Sequence, residues 1–177
     1  RLESDMNLTT GGQRPEPIRD VEAFCVGLLS RLYVWDAAKR EIFIFNTDGT
    51  LVDTIRNDTL REIVDMEMNR FGVLYALDRR ERRLNRFSPD GQWSTVVERV
   101  IGRAELRDVI GLAIDAAENV YILDRDLKRV FIFDRNQQPL GQFGFGDEVR
   151  DPTSIAVDES GALYVLDRRE RRIHRYQ

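Results

Sequence analysis

The sequence predicts an all-β fold, a β-propeller of four-stranded antiparallel blades, and three observations carry that expectation. One phrase recurs four times: LYVWD at 32–36, LYALD at 74–78, VYILD at 120–124 and LYVLD at 163–167. Its closing acids Asp36, Asp78, Asp124 and Asp167 lie 42, 46 and 43 residues apart, and a regular period of that length marks a stack of supersecondary units. The apolar runs between turn residues are short and rich in Val, Ile, Tyr and Phe, which is strand pattern and not helix pattern. The phrase is also apolar on both faces, with Leu32 and Val34 on one and Tyr33 and Trp35 on the other. A strand of that kind must be covered on both sides, and sheets packed face to face around an axis form a propeller.

Each unit reads as strands A to D. Strand A is expected at 21–26, 63–68, 109–114 and 153–157, shortly after an arginine–acid pair: Arg19-Asp20, Arg61-Glu62, Arg107-Asp108 or Arg150-Asp151. Strand B is the recurring phrase. Strand C follows a short turn as IFIF at 42–45, LNRF at 84–87, VFIF at 130–133 and IHRY at 173–176. Asp48-Gly49 and Asp90-Gly91 then supply the dipeptide of tight hairpins, and the third unit uses 136–139 instead. Strand D is LVDTI at 51–55, WSTVV at 93–97 and LGQF at 140–143. The fourth unit stops after strand C, and DMNLTT at 5–10 is the candidate for its outer strand. Residues 1–17 form a polar lead-in and 18–177 the propeller, with blades at 18–59, 60–105, 106–148 and 149–177. Four units fit a closed four-blade ring, an open arc or part of a larger propeller alike.

The same residues carry a family resemblance. LYVLDRRERRIHRY at 163–176 resembles the core of an NHL repeat, and DPTSIAVDESGALYVLD at 151–167 and LGQFGFG at 140–146 match its flanks. The resemblance spans 18–177. It departs where the family favours Asn in the B–C turn, at Lys39, Glu81, Leu127 and Glu170, and where Glu41 replaces the family's Arg. It implies a propeller used chiefly to bind other macromolecules.

Composition fits one globular domain: 177 residues, 42% hydrophobic and 33% charged. No apolar run reaches the roughly 18 residues of a membrane span. The chain opens on Arg1 and not Met, which is read as a processed or truncated N-terminus, with a bacterial periplasmic or other extracytoplasmic location favoured over the cytoplasm. The single cysteine excludes an intramolecular disulfide.

Charge placement says more than the net of −4. The B–C turns gather Arg79, Arg80, Arg82, Arg125, Arg168, Arg169 and Arg171 on one rim, and these are the candidate contacts for a protein partner with an acidic surface. Opposite turns carry Asp48, Asp90, Asp115, Glu118, Asp158 and Glu159, so the molecule is expected to be electrically polarised and able to steer a charged partner. Arg83, Arg129 and Arg172 recur in register and are expected to pair with acids of the blades, at roughly 0–1 kcal/mol each if exposed. Self-association through the incomplete last blade is a second expectation. RNA binding on the basic rim is a weaker one, because the turns lack the aromatic groups on which bases stack.

Catalytic motifs are scarce. His174 lies within strand C and reads as a packing or surface residue, and one histidine excludes a multi-histidine zinc site. Cys25 reads as an inert buried thiol in strand A. Gly141, Gly144 and Gly146 have phosphate-loop spacing but precede no helix start. The sequence therefore favours a non-catalytic scaffold, a peripheral subunit of a larger assembly with no cofactor. The alternative is a lactonase-like hydrolase holding calcium at the channel mouth through Asp20, Glu62, Asp108 and Asp151, whose oxygens suit that ion.

Overall fold

The computed structural model describes residues 8, 9, 18–101 and 104–177. The first sheet contains β1 (Val21–Val26), β2 (Leu32–Asp36), β3 (Glu41–Phe45) and β4 (Leu51–Arg56). The second contains β5 (Ile63–Met68), β6 (Leu74–Asp78), β7 (Arg83–Phe87) and β8 (Trp93–Val97). A short pair, β9 (Val100–Ile101) and β10 (Ala104–Glu105), precedes the third sheet of β11 (Val109–Ile114), β12 (Val120–Asp124), β13 (Arg129–Phe133) and β14 (Pro139–Gly144). The fourth sheet has three strands, β15 (Pro152–Val157), β16 (Leu163–Asp167) and β17 (Arg172–Tyr176).

Strands follow chain order within each sheet, all antiparallel, and the inner strands stack in series: β1 on β5, β5 on β11, β11 on β15. This is a β-propeller arrangement. Each A–B pair carries an irregularity at the same place, between Val21 and Ala23, Ile63 and Asp65, Val109 and Gly111, and Pro152 and Ser154. Bulges of this kind sharpen the local twist, and their repetition gives the four inner strands one shape.

Period-2 alternation builds the core between sheets. Trp35 and Ile42 of the first sheet meet Ile63, Met66 and Leu74 of the second. Leu77 and Leu84 of the second meet Leu112, Ile122 and Phe131 of the third. Leu123 and Val130 of the third meet Ile155, Leu163 and Val165 of the fourth. Each fully buried side chain of this size contributes roughly 1.5–3 kcal/mol.

The recurring aspartates are buried and serve the turns. Asp78 accepts N–H groups from Arg61 at 2.9 Å, Glu81 at 3.1 Å and Glu62 at 3.3 Å. Asp36, Asp124 and Asp167 bind the matching positions of their own units. Each thus closes its B–C turn and ties down the chain entering strand A. Strand C starts one residue earlier than its apolar run suggests, because the closing aspartate pairs across the ladder with Glu41, Arg83, Arg129 or Arg172.

Two elements have no counterpart in the repeat pattern, a 3₁₀ turn at Leu28–Ser30 and the β9–β10 pair. Of the segment 5–10, expected to complete the last blade, only Leu8 and Thr9 are described. Leu8 packs against Val34, Phe43 and Phe45 of the first sheet, and the rest lies outside the described residues. No helix among the described residues is long and apolar enough to cross a membrane.

Candidate functional site

The rim formed by the B–C turns is basic, yet several of its arginines are engaged. Both oxygens of Asp108 are taken, by Arg79 Nε at 2.7 Å and by Arg125 Nε at 2.7 Å. Arg79 also approaches Glu62 at 3.5 Å. Arg168 holds Asp151 at 2.8 Å, and Arg82 reaches Glu105 and the carbonyl of Leu106, each at 3.2 Å. Arg80, Arg169 and Arg171 are exposed and make no ion pair among the described residues. The in-register arginines behave differently from expectation. Arg83 donates to the carbonyl of Thr59 at 2.8 Å and Arg129 to Gln142 at 2.9 Å, so they bind neutral oxygens of their surroundings and not acids.

These pairings also test the calcium alternative. A cation would have to displace two guanidinium groups from Asp108 and one from Asp151, while Asp20 is exposed. Among the described residues no group of three or more His, Cys, Asp or Glu side chains could hold a metal ion. The residues of this acid ring do not fit calcium.

The opposite rim has the more chemically unusual groups. Where β5, β11 and β15 run into their A–B turns, a cavity of about 240 Å³ is lined by Glu67, Asn69, Arg70, Asp115, Glu118 and Asp158 among others. Most of these side chains are occupied. Asp115 accepts the N–H groups of Ala117 and Asn119, each at 2.8 Å, and the Tyr121 hydroxyl at 3.0 Å. Asp158 does the same for its turn, and bonds from Ser160, Tyr164 and Ala162 hold its carboxyl down at about 2. Glu118 accepts from Asn69 at 2.6 Å and pairs with Arg70 at 3.3 Å.

Glu67 differs. It accepts no hydrogen bond from the described residues, and burial, reinforced by the charge of Asp65, pushes its carboxyl up to about 7. Asp65, two residues earlier on the same strand, is pushed by burial to about 6, against the opposing effect of its bonds from Leu112 at 2.8 Å and Met66 at 2.9 Å. The Leu112 bond ties β5 to β11 across the blade junction. A carboxyl near 7 exchanges its proton readily at neutral pH, which is the property an acid–base catalyst needs. Neither acid was singled out by motif. Their signal is departure from the repeat, since Glu67 takes the register position of Cys25, Ala113 and Ala156, and Asp65 that of Ala23, Gly111 and Ser154.

The other candidates stay where the sequence put them. Cys25 is buried and its thiol is pushed up to about 12, so it is unreactive near neutrality. His174 lies beside Tyr176, ring centroids 6.4 Å apart. Gly141 and Gly144 belong to β14, Gly146 to the turn after it, and no helix follows.

No family model and no curated protein matches the sequence. Solved structures match it in fold. A streptogramin B lyase aligns over 88% of this chain and 54% of its own, with a TM-score of 0.71 and 8% identity. A catalytically inactive virginiamycin B lyase from Staphylococcus aureus with quinupristin aligns over 97% and 59%, with a TM-score of 0.70 and 10% identity. A gluconolactonase from Xanthomonas campestris aligns over 83% and 56%, with a TM-score of 0.66 and 19% identity. The chain therefore spans just over half the length of these structures. At such identities the likeness establishes the β-propeller and nothing finer. It also corrects the favoured functional reading. These propellers are enzymes, lyases and a gluconolactonase, which speaks against the expectation of a non-catalytic scaffold and of no enzyme.

Proposed function

We propose that the chain forms part of a propeller hydrolase that opens a neutral cyclic ester, with Glu67 as its acid–base group. The carboxylate of Glu67 takes a proton from water as the water oxygen bonds to the ester carbonyl carbon. The ring C–O bond then breaks, and the same carboxyl returns the proton to the departing alkoxide, giving a hydroxy acid. Proton transfer of this kind is worth about 10²–10⁴-fold in rate. The acids around the cavity disfavour an anionic ligand, which is why a neutral lactone is the substrate class. The calcium variant is set aside because its four acids face arginines or solvent. The NHL-like motifs remain part of this reading as the structural grammar of the blades.

The observation that carries the proposal is the unpaired Glu67 carboxyl, raised to about 7 at the wall of a cavity. The fold shared with a gluconolactonase supports the substrate class. The test is a panel of neutral lactones assayed by acid release from pH 5 to 9. Turnover should rise through pH ~7 as Glu67 ionises, and Glu67→Gln should lose at least about 100-fold while keeping the far-ultraviolet circular dichroism of the wild type. Absence of turnover across the panel, or an unimpaired Glu67→Gln variant, overturns the reading.

A further inference from the structure

The four inner strands run into turns of one design. The residue after each strand, Gly27, Asn69, Asp115 or Asp158, donates its N–H to the carbonyl four residues on, in Arg31, Val73, Asn119 or Ala162. In the last three a side-chain oxygen closes the turn. Oδ1 of Asn69 accepts the N–H groups of Phe71 at 3.1 Å and Val73 at 2.9 Å. Oδ1 of Asp115 and of Asp158 does the same in their turns. The second atom of the side chain differs. Oδ2 of Asp115 accepts the hydroxyl of Tyr121 at 3.0 Å, and Oδ2 of Asp158 that of Tyr164 at 2.9 Å. In Asn69 that atom is an amide nitrogen, which cannot accept, and it donates to Glu118 at 2.6 Å.

The matching tyrosine of the second sheet, Tyr75, thus lacks the carboxylate that its counterparts have. Across the ladder from the four tyrosines stand Ile44, Arg86, Ile132 and Arg175. The fourth sheet holds acid and cation together, with Arg175 donating at 3.1 Å to the hydroxyl that Asp158 binds. The third has the acid alone and the first has neither. The second has the cation alone. Arg86 donates to the hydroxyl of Tyr75, and no carboxylate of the described residues pairs with it. The nearby acid, Glu118, has one oxygen on Asn69 and the other on Arg70 at 3.3 Å.

Tyr75 and Arg86 line a cavity of about 230 Å³ between the second and third sheets. Arg135, on the turn between β13 and β14, adds a second guanidinium that forms no ion pair among the described residues, and Phe71 and Val73 add an apolar wall. We propose that this cavity binds a small organic carboxylate, whose oxygens take the place that Oδ2 of Asp158 holds in the fourth sheet. The carboxylate accepts the Tyr75 hydroxyl and meets the two guanidinium groups, whose fork of N–H donors matches it. The apolar wall receives the rest of the ligand. Charges in a partly buried site are screened less than on the open rim. Asn69 and Glu118 divide this cavity from that of Glu67, and the inference is independent of the role proposed for Glu67.

Isothermal titration calorimetry with benzoate at neutral pH tests it. One site per chain is expected, with a Kd on the order of 1 mM or below, within reach of a ligand of about nine heavy atoms. Benzamide, of the same shape without the charge, should bind at least about tenfold more weakly, and Arg86→Gln should weaken benzoate by a similar factor. Arg86 is half-buried, so the variant should keep the circular dichroism of the wild type. Should it fail to fold, Arg135→Gln, at an exposed turn position, should still weaken benzoate about threefold. Absence of saturable binding in the millimolar range overturns the inference. Equal affinity for benzamide does so too, since the apolar wall then binds without the cations. So does benzoate binding that both arginine variants leave unchanged, which puts the carboxylate elsewhere on the surface.

Discussion

Asp124 carries no solvent exposure and accepts N–H groups from Arg107 at 2.6 Å, Leu127 at 3.0 Å and Asp108 at 3.3 Å. Asp124→Asn replaces one acceptor oxygen by an amide donor facing those N–H groups. The expected loss is about 2–3 kcal/mol, the cost of leaving buried donors unpaired, read as a lower urea midpoint with unchanged slope. Glu67 presents the opposite case, a carboxyl that folding penalises. Its pKa rises from 4.5 to about 7 because burial disfavours the charge. Below pH ~4.5 the group is protonated in both states and contributes nothing. Between ~4.5 and ~7 the folded state holds a proton that the unfolded state has released, so stability falls as pH rises, and above ~7 the full cost remains. Glu67→Gln should therefore match the wild type at pH 4 and exceed it at pH 8 by on the order of 1–2 kcal/mol after allowance for solvent screening. Asp65 titrates in the same window, so the difference between the two proteins is the informative quantity. A variant that gains nothing at pH 8 means that Glu67 is ordinarily solvated.

Each B–C turn places a basic residue in the left-handed region: Arg40, Arg82, Lys128 and Arg171, with φ from 48 to 56°. A non-glycine residue there costs roughly 1–2 kcal/mol, and Asn is better tolerated because its short amide bonds locally. Arg171→Asn should stabilise the protein by about 0.5–1 kcal/mol, seen as a higher thermal midpoint, whereas a lower midpoint would mean that the arginine side chain itself supports the turn. At this scale the sequence was most readable. Strand A at 21–26, 63–68 and 109–114 and strand B in all four units coincide with the observed strands, because alternation and turn residues act locally. The apolar run of strand C stops one residue short of the strand itself, since Glu41 and its counterparts are polar yet sit on the last rung of the ladder. The 3₁₀ turn at 28–30, with Leu29 at φ 57°, and the β9–β10 pair follow no local pattern. The candidate site was less readable for a related reason. Arg79 pairs with Asp108, 29 residues away in the next blade, and the shift at Glu67 comes from burial that no single strand displays. What could be seen was only that Glu67 stands where other blades have Cys or Ala.

Among the described residues the sheets stack in series, β1 on β5, β5 on β11 and β11 on β15, so stability is approximated by a sum of blade and junction contributions. Leu123 and Leu166 occupy the same register position, the first fully buried in a junction and the second 41% exposed at the end of the stack. Leu123→Ala should cost about 2–5 kcal/mol at any protein concentration, through lost burial and an unfilled cavity. Leu166→Ala should cost less than about 1 kcal/mol in dilute solution, where that face meets water. If a second copy covers the face, the penalty at Leu166 must grow with concentration, because whatever binds only the folded state adds stability by mass action. Chemical denaturation of both variants at nanomolar and at high micromolar protein separates the cases. A Leu166→Ala penalty that climbs towards that of Leu123→Ala places the residue in a junction between copies. A penalty that is small at both concentrations leaves the end of the stack open, and one that is large at both means that the chain covers this face itself.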